Sequence, residues 1–196
     1  MSKGEATRQF IIEKAAPIFN KKGIAATAMS DIMDATKLAK GSLYVHFENK
    51  DVLAAEVVDH NLNLGRKKLQ AALNIAGTSK EKLFTYIDVV TDILNPPVPG
   101  GCPMINFGME ADDTNPEIKQ KINQAIESTQ QWISDIIKQG IKAGEFRPDW
   151  NHKEFATIMF AMVEGGIVIG RVAGNNTKIK AIGKALKQMI SSQQLT

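Results

Sequence analysis

Apolar residues along the chain recur every three or four positions, and no long stretch alternates with period two. That spacing stacks side chains on one face of a helix, so nearly the whole chain is predicted helical. A first helix runs from about Thr7 to Lys22, with Ile11, Ala15, Ile18 and Phe19 as its inner stripe and Gly23 as its stop. Thr27 is the expected N-cap of a second helix that turns Met29, Ile32, Met33 and Ala35 inward. A third helix spans about Ala39 to Val45 or His46, and a fourth starts near Lys50 and extends to about Ile75.

A fifth helix is expected from Ser79 to Leu94, ended by NPPVPGG at residues 95–101, where paired prolines and glycines cannot continue a helix. A sixth follows from Cys102 to Ala111, and DDTNP makes the next turn. A seventh runs from Pro116 to Ala143, with proline suited to the first turn. An eighth covers Asn151 to Ala173 and a ninth Lys178 to Ile190. The expectation is an all-α protein of about nine helices, without internal repeats.

Length and composition narrow the class. At 196 residues and 43% hydrophobic content, the chain supports one domain, or a small domain with a larger one. Its longest apolar stretch, Phe155 to Gly170, is interrupted by Glu164, so no membrane span or membrane partner is expected. The polar start MSKGEATRQ lacks a signal-peptide core. A single cysteine forms no intrachain disulfide, which points to the reducing cytoplasm. Residues 1–50 hold eight Lys/Arg against five Asp/Glu and so carry all of the net charge of +3. An excess confined to one quarter of the chain is either a solvated basic face or a footprint for phosphate.

The segment Thr27–Asp51, TAMSDIMDATKLAKGSLYVHFENKD, decides between these. It reads as two short helices joined by a tight turn, then an aromatic-rich exit and a basic entry into another helix. Within LAKGSLYVHF, Leu38, Leu43 and Phe47 share the inner side, while Lys40, Gly41 and Tyr44 face out with Ser42 and Val45 at the flanks. Lys40 offers charge to phosphate or a donor to guanine, Gly41 allows close approach, and Val45 suits a thymine methyl. Tyr44 and His46 offer hydrogen bonds to phosphate oxygens. Lys50 and the free amides at the start of the fourth helix would add a second phosphate site.

IIEKAAPIFNKKG, TAMSDI and KGSLYVHFENKDVL together resemble the N-terminal domain of TetR-family transcriptional regulators, over residues 7–54. The resemblance implies a three-helix DNA-binding head, residues 1–50, and a larger helical ligand-binding and dimerising body, residues 51–196. It implies a double-stranded DNA operator, a second copy of the chain and an unidentified small-molecule inducer as partners, with no cofactor and no metal. Thr27 and Ser30 would touch phosphate or base edges; Lys40, Gly41, Ser42, Tyr44, His46 and Lys50 match recognition-helix and backbone-contact positions. Two residues depart from the pattern. Lys37 replaces the usual turn glycine, where a positive φ costs about 1 kcal/mol, and opens an extra phosphate contact. Ala39 replaces the usual hydroxylated cap, a loss of roughly 0.5–2 kcal/mol.

In the expected eighth helix, Gly166, Gly170 and Gly174 recur at intervals of four beside Gly165. Such a stripe admits a closely packed helix, either a two-fold partner or the ninth or fourth helix of the same chain. The resemblance favours a dimer seam of the last two helices, with Ile167, Ile169, Val172, Ile182, Leu186 and Met189 as candidates. It also implies a ligand cavity, for which Met104, Phe107, Trp132, Met159, Phe160 and Met162 are candidates; the alternative for each is plain core. Glu164 could face that cavity, the seam or solvent. Cys102, at the expected start of the sixth helix, is a candidate redox or electrophile sensor because a helix N-terminus favours thiolate. Other classes fare poorly: GGIVIGR lacks the Lys-Ser/Thr of a phosphate loop, there is no G-x-S-x-G, and the three histidines are scattered, so no enzyme is expected. A DNA-binding protein without a ligand is the remaining alternative.

Overall fold

The computed structural model describes residues 2–195, and within them nine helices and no strand. They are α1 (Lys3–Lys22), α2 (Met29–Thr36), α3 (Lys40–His46), α4 (Lys50–Leu73), α5 (Ser79–Thr91), α6 (Pro103–Ala111), α7 (Pro116–Lys142), α8 (His152–Ala173) and α9 (Thr177–Ser191). The all-α expectation holds. α1 starts at Lys3, four residues before the expected Thr7, because Ser2 accepts from the Glu5 amide at 3.2 Å while the Glu5 carboxylate accepts from the Ser2 amide at 2.6 Å. This reciprocal capping box nucleates a turn that carries no buried side chain. α5 ends at Thr91 rather than Leu94, ahead of Pro96 and Pro97. The connection then passes through Gly100 and Gly101 at φ of 125° and 105°; such values suit glycine alone.

One of the expected caps is placed differently. Thr27 is not the cap of α2; Ala28 occupies that position, and the Asp31 carboxylate accepts from its amide at 2.9 Å. Thr27 turns inward, 1% exposed, and donates to the Gly23 carbonyl at 2.6 Å. At the other end of α2, Lys37 has φ 59° and is the one non-glycine residue with positive φ among the described residues. The strain expected there is present, and Thr36 eases the turn by accepting from the Leu38 amide at 3.3 Å.

The chain packs as two compact units, residues 1–65 with 97–123, and residues 66–96 with 124–196. The division falls within α4 and α7 and assigns α6 to the unit of the first three helices, so it does not coincide with the expected functional boundary after residue 50. The first unit buries Ile11, Phe19, Ile32, Leu43, Phe47, Leu53, Val57 and Phe107. The second has its own core around Leu83, Ile87, Ile133, Ile137, Phe146, Met159 and Leu186. There Trp150 packs edge-on to both Phe146 and Phe155, each ring pair 4.9 Å between centroids. By length and composition α8 is the one helix among the described residues apolar enough to cross a membrane. The apolarity missed by reading Glu164 as an interruption has a local use: α8 packs on α5 and α9, and Glu164 itself is buried.

Candidate DNA-binding surface and the helical body

α3 is seven residues long, and two buried side chains, Leu43 and Phe47, seat it. Its opposite face carries Lys40, Gly41, Tyr44 and Val45, all exposed, with Ser42 and His46 half-buried at the edges. Val45 is 81% exposed, an uncompensated apolar surface that makes sense if a partner covers it. A Cβ placed on Gly41 would meet nothing within 4 Å, so this glycine is not demanded by packing. The Lys40 ammonium lies 5.8 Å from the centre of the Tyr44 ring. Ser30 on α2 and Lys37 in the turn are exposed as well.

Lys50 differs from the expectation. Its ammonium donates to the carbonyls of Ile24, Ala25 and Thr27 at 2.8, 3.3 and 3.1 Å. All three protons of the group are thereby used inside the first unit. The amide of Val52 is also taken, by Asn49 Oδ1 at 2.9 Å. The second phosphate site expected at the start of α4 is therefore mostly spent on structure. Thr27, buried, has no face to offer a duplex either.

Residues that were not singled out position α3. The Arg8 guanidinium donates to both oxygens of Glu56 and to the His46 carbonyl, and it stacks 4.1 Å from the Phe47 ring centre. One side chain of α1 thus binds the end of α3 to α4. Nothing in local sequence marks Arg8, because its partners lie 38 and 48 residues away. Lys22, the last residue of α1, pairs with Asp31 on α2 at 2.7 Å. The Lys22 ammonium first, and the Ala28 amide second, hold the Asp31 carboxyl below the usual range.

In the second unit the small-residue stripe is filled from within. A Cβ on Gly166 would lie 3.0 Å from Ile182 and 3.2 Å from Ile179, and one on Gly170 would lie 2.9 Å from Ile93. These glycines let α9 and the end of the α5 segment close on α8 in the same chain. Gly174 caps α8 at φ 68°, and Leu186 is fully buried. Ile167 and Ile182 pack partly on the core, while Ile169, Val172 and Met189 are the exposed members among the residues taken for the seam, Val172 at 87%. The apolar face that α8 leaves open carries Ile158, Ala161, Gly165 and Val168 together with two of the seam candidates, Ile169 and Val172. Gly165 has open space where its Cβ would be.

The six candidate ligand residues divide between the units, Met104 and Phe107 in the first and Trp132, Met159, Phe160 and Met162 in the second. Phe107 and Met159 are fully buried and Phe160 nearly so, while Met104, Trp132 and Met162 are half-buried. Within its own unit Met159 is a core residue, with Trp132 and Met162 packed against that core. Two open grooves lie on the second unit, one of about 480 Å³ between α5 and α9 and one of about 350 Å³ around Arg147 and Trp150, and neither is lined by these six. Glu164 is 7% exposed, so of the three places open to it the solvent-facing one is ruled out. Cys102 is the half-buried N-cap residue of α6 and makes no side-chain capping bond.

Two family models match the chain: that of bacterial regulatory proteins of the tetR family over residues 11–57, and that of the tetracyclin repressor-like C-terminal domain over residues 79–186. A TetR-family transcriptional regulator from Cytophaga hutchinsonii is 40% identical and superposes with a TM-score of 0.94, covering 100% of this chain and 98% of its own. One from Chloroflexus aurantiacus J-10-FL is 33% identical with a TM-score of 0.96, covering 100% of both chains. The HTH-type transcriptional repressor DhaR of Mycobacterium sp. (strain GP1) is 24% identical over 172 residues, 86% of this chain and 84% of that one. With head and body both matched, the chain belongs to the TetR family of ligand-responsive, DNA-binding transcriptional regulators.

Proposed function

We propose that this regulator is a cytoplasmic homodimeric repressor that binds a palindromic operator and leaves it when a small molecule binds the body. The observation that carries the reading is the outward face of α3, where Lys40, Gly41, Tyr44 and Val45 are exposed while Leu43 and Phe47 anchor the helix behind them. Ser30, Lys37, Ser42 and His46 complete the contact set. Lys50 and Thr27 serve it from inside, as supports of the turn before α2. A charged and polar face with one bare aliphatic side chain suits a major groove, where phosphates position and base edges specify.

The second copy is proposed to seat on the open face of α8. Ile158, Ala161, Gly165, Val168 and Val172 follow one another at three- and four-residue steps, so they form a single stripe. A two-fold axis through Gly165 would bring two such stripes together at close range. Family membership supports inducer binding in the body, with Trp132, Met159, Phe160 and Met162 as the proposed candidates in the second unit.

Selection from random double-stranded DNA with the full-length protein tests the reading. Enrichment of two inverted half-sites, bound by a dimer in sedimentation, is the expected result. A protein that enriches no sequence, or binds DNA as a monomer with equal affinity, overturns it.

A further inference from the structure

The turn between α1 and α2, residues 23–27, is held by two side chains that belong to neither helix. Its carbonyls at Ile24, Ala25 and Thr27 receive the Lys50 ammonium from α4. Its amides at Ile24 and Ala25 donate to the two oxygens of Glu110 from α6, at 2.7 and 2.6 Å. A turn of Gly-Ile-Ala-Ala-Thr has almost no polar side chains of its own. Its backbone groups must be paired from elsewhere or left unsatisfied.

The approach of Glu110 is built in from both sides. Gly23 has φ 84°, and a Cβ there would lie 2.9 Å from Glu110 Oε2, so the carboxylate occupies the space a side chain would need. One turn earlier on α6, Asn106 donates to Asn20 and to the Gly100 carbonyl, between 2.9 and 3.1 Å. Asn20 in turn donates to the carbonyls of Pro99 and Gly101 at 3.2 and 3.1 Å. α6 is thus keyed to the end of α1, and Glu110 is its reach into the turn.

We propose that Glu110 is a positioning residue for DNA binding: its carboxylate sets the α1–α2 turn, and through it the start of α2 beneath Ser30 and α3. The inference rests on the DNA-contact reading above. A carboxylate near a polyanion is otherwise a liability, since removing it should strengthen binding to any duplex. Positioning predicts the opposite sign.

The test uses the full-length protein and the sequence it selects, or, if it selects none, a random duplex at low salt. Failure of selection by the wild-type protein counts against the operator reading, whereas the inference is read from variants against wild type. Glu110→Gln keeps shape but puts an NH₂ against a backbone amide, and Glu110→Asp keeps charge but is one methylene shorter. Glu117→Gln, on an exposed carboxylate of the same unit, is the control for charge. Folding is checked by circular dichroism, and exchange of the Ile24 and Ala25 amides by NMR. The expected result is about a tenfold loss of affinity for whichever Glu110 variant folds, with faster exchange at those two amides, while Glu117→Gln binds as tightly or more tightly. Unchanged or tighter binding by a folded Glu110 variant overturns the proposal, as does unaltered amide exchange.

Discussion

Gly41 on α3 and Gly170 on α8 are both glycines inside a helix, yet they do opposite things. Around Gly41 the space for a side chain is empty, and around Gly170 it is taken by Ile93 at 2.9 Å. The two lysines that bracket the recognition segment differ in the same way. Lys40 stands over Tyr44 on the open face, and Lys50 has its three protons on three carbonyls. In each pair one residue is left open by the fold and the other is consumed by it. Residue type and helical spacing are the same for both members, so only their surroundings separate contact from scaffold.

The comparison can be broken most severely at the open face of α8. Replacing both Gly165 and Val168 by Glu should leave each chain folded, because neither site is packed in it, yet put unpaired charges across the proposed seam. Sedimentation should show monomers, and operator affinity should fall about a hundredfold, ~2.8 kcal/mol. A dimer with full affinity would move the seam elsewhere.

Next comes the glycine pair itself. Gly170→Leu should cost about 1–3 kcal/mol of unfolding free energy in urea, as overpacking does. Gly41→Ala should add about 0.5–1 kcal/mol through helix propensity while weakening operator binding. If the two changes shifted stability alike, the distinction between open and filled glycines would collapse.

The lysines offer a finer contrast. Lys40→Ala should lower operator affinity several-fold and reduce the salt slope by about 1, the signature of one lost phosphate contact. Lys50→Met should instead lower the melting temperature, since three carbonyls lose their donor. A Lys50 variant with wild-type stability and a reduced slope would restore the phosphate role expected from sequence.

The smallest effect is on pH dependence. Glu5, Glu81 and Asp31 have carboxyls held below the usual range: Glu5 by the Ser2 backbone amide, Glu81 by the Thr78 amide, and Asp31 by Lys22. A lowered folded-state value means their contribution is complete above the ordinary carboxylate pKa of ~4 and disappears as pH falls through the lowered value. Thermal melts should therefore be insensitive to these groups between about pH 5 and 8 and decline below about pH 4. Glu81→Gln should make that acid decline shallower.

Much of this was readable in one dimension. The nine helices follow from apolar periodicity and punctuation, with ends displaced by a few residues where a cap such as Ser2–Glu5 or a proline pair intervened. The outward set on α3 was readable because a seven-residue helix seated by Leu43 and Phe47 has only one way to face. The glycine stripe of α8 admitted either a second copy or α9 of the same chain; Gly166 and Gly170 are packed from within that chain, while the exposed stripe, with the seam candidates Ile169 and Val172, lies one step around the helix. Periodicity names the residues that share a face and is silent on which of two apolar faces the same chain will cover.

Local patterning alone settles where the helices run, that the second and third form a helix-turn-helix, and that the motif is of the TetR type, because these depend on neighbours within a few residues. Tertiary packing alone settles the partners of Arg8, Lys50, Asn20 and Glu110. Their bonds cross 23 to 86 residues of chain. A hydrogen bond of that reach is chosen by whichever backbone groups the fold leaves unpaired nearby, and no spacing rule along the chain encodes that choice.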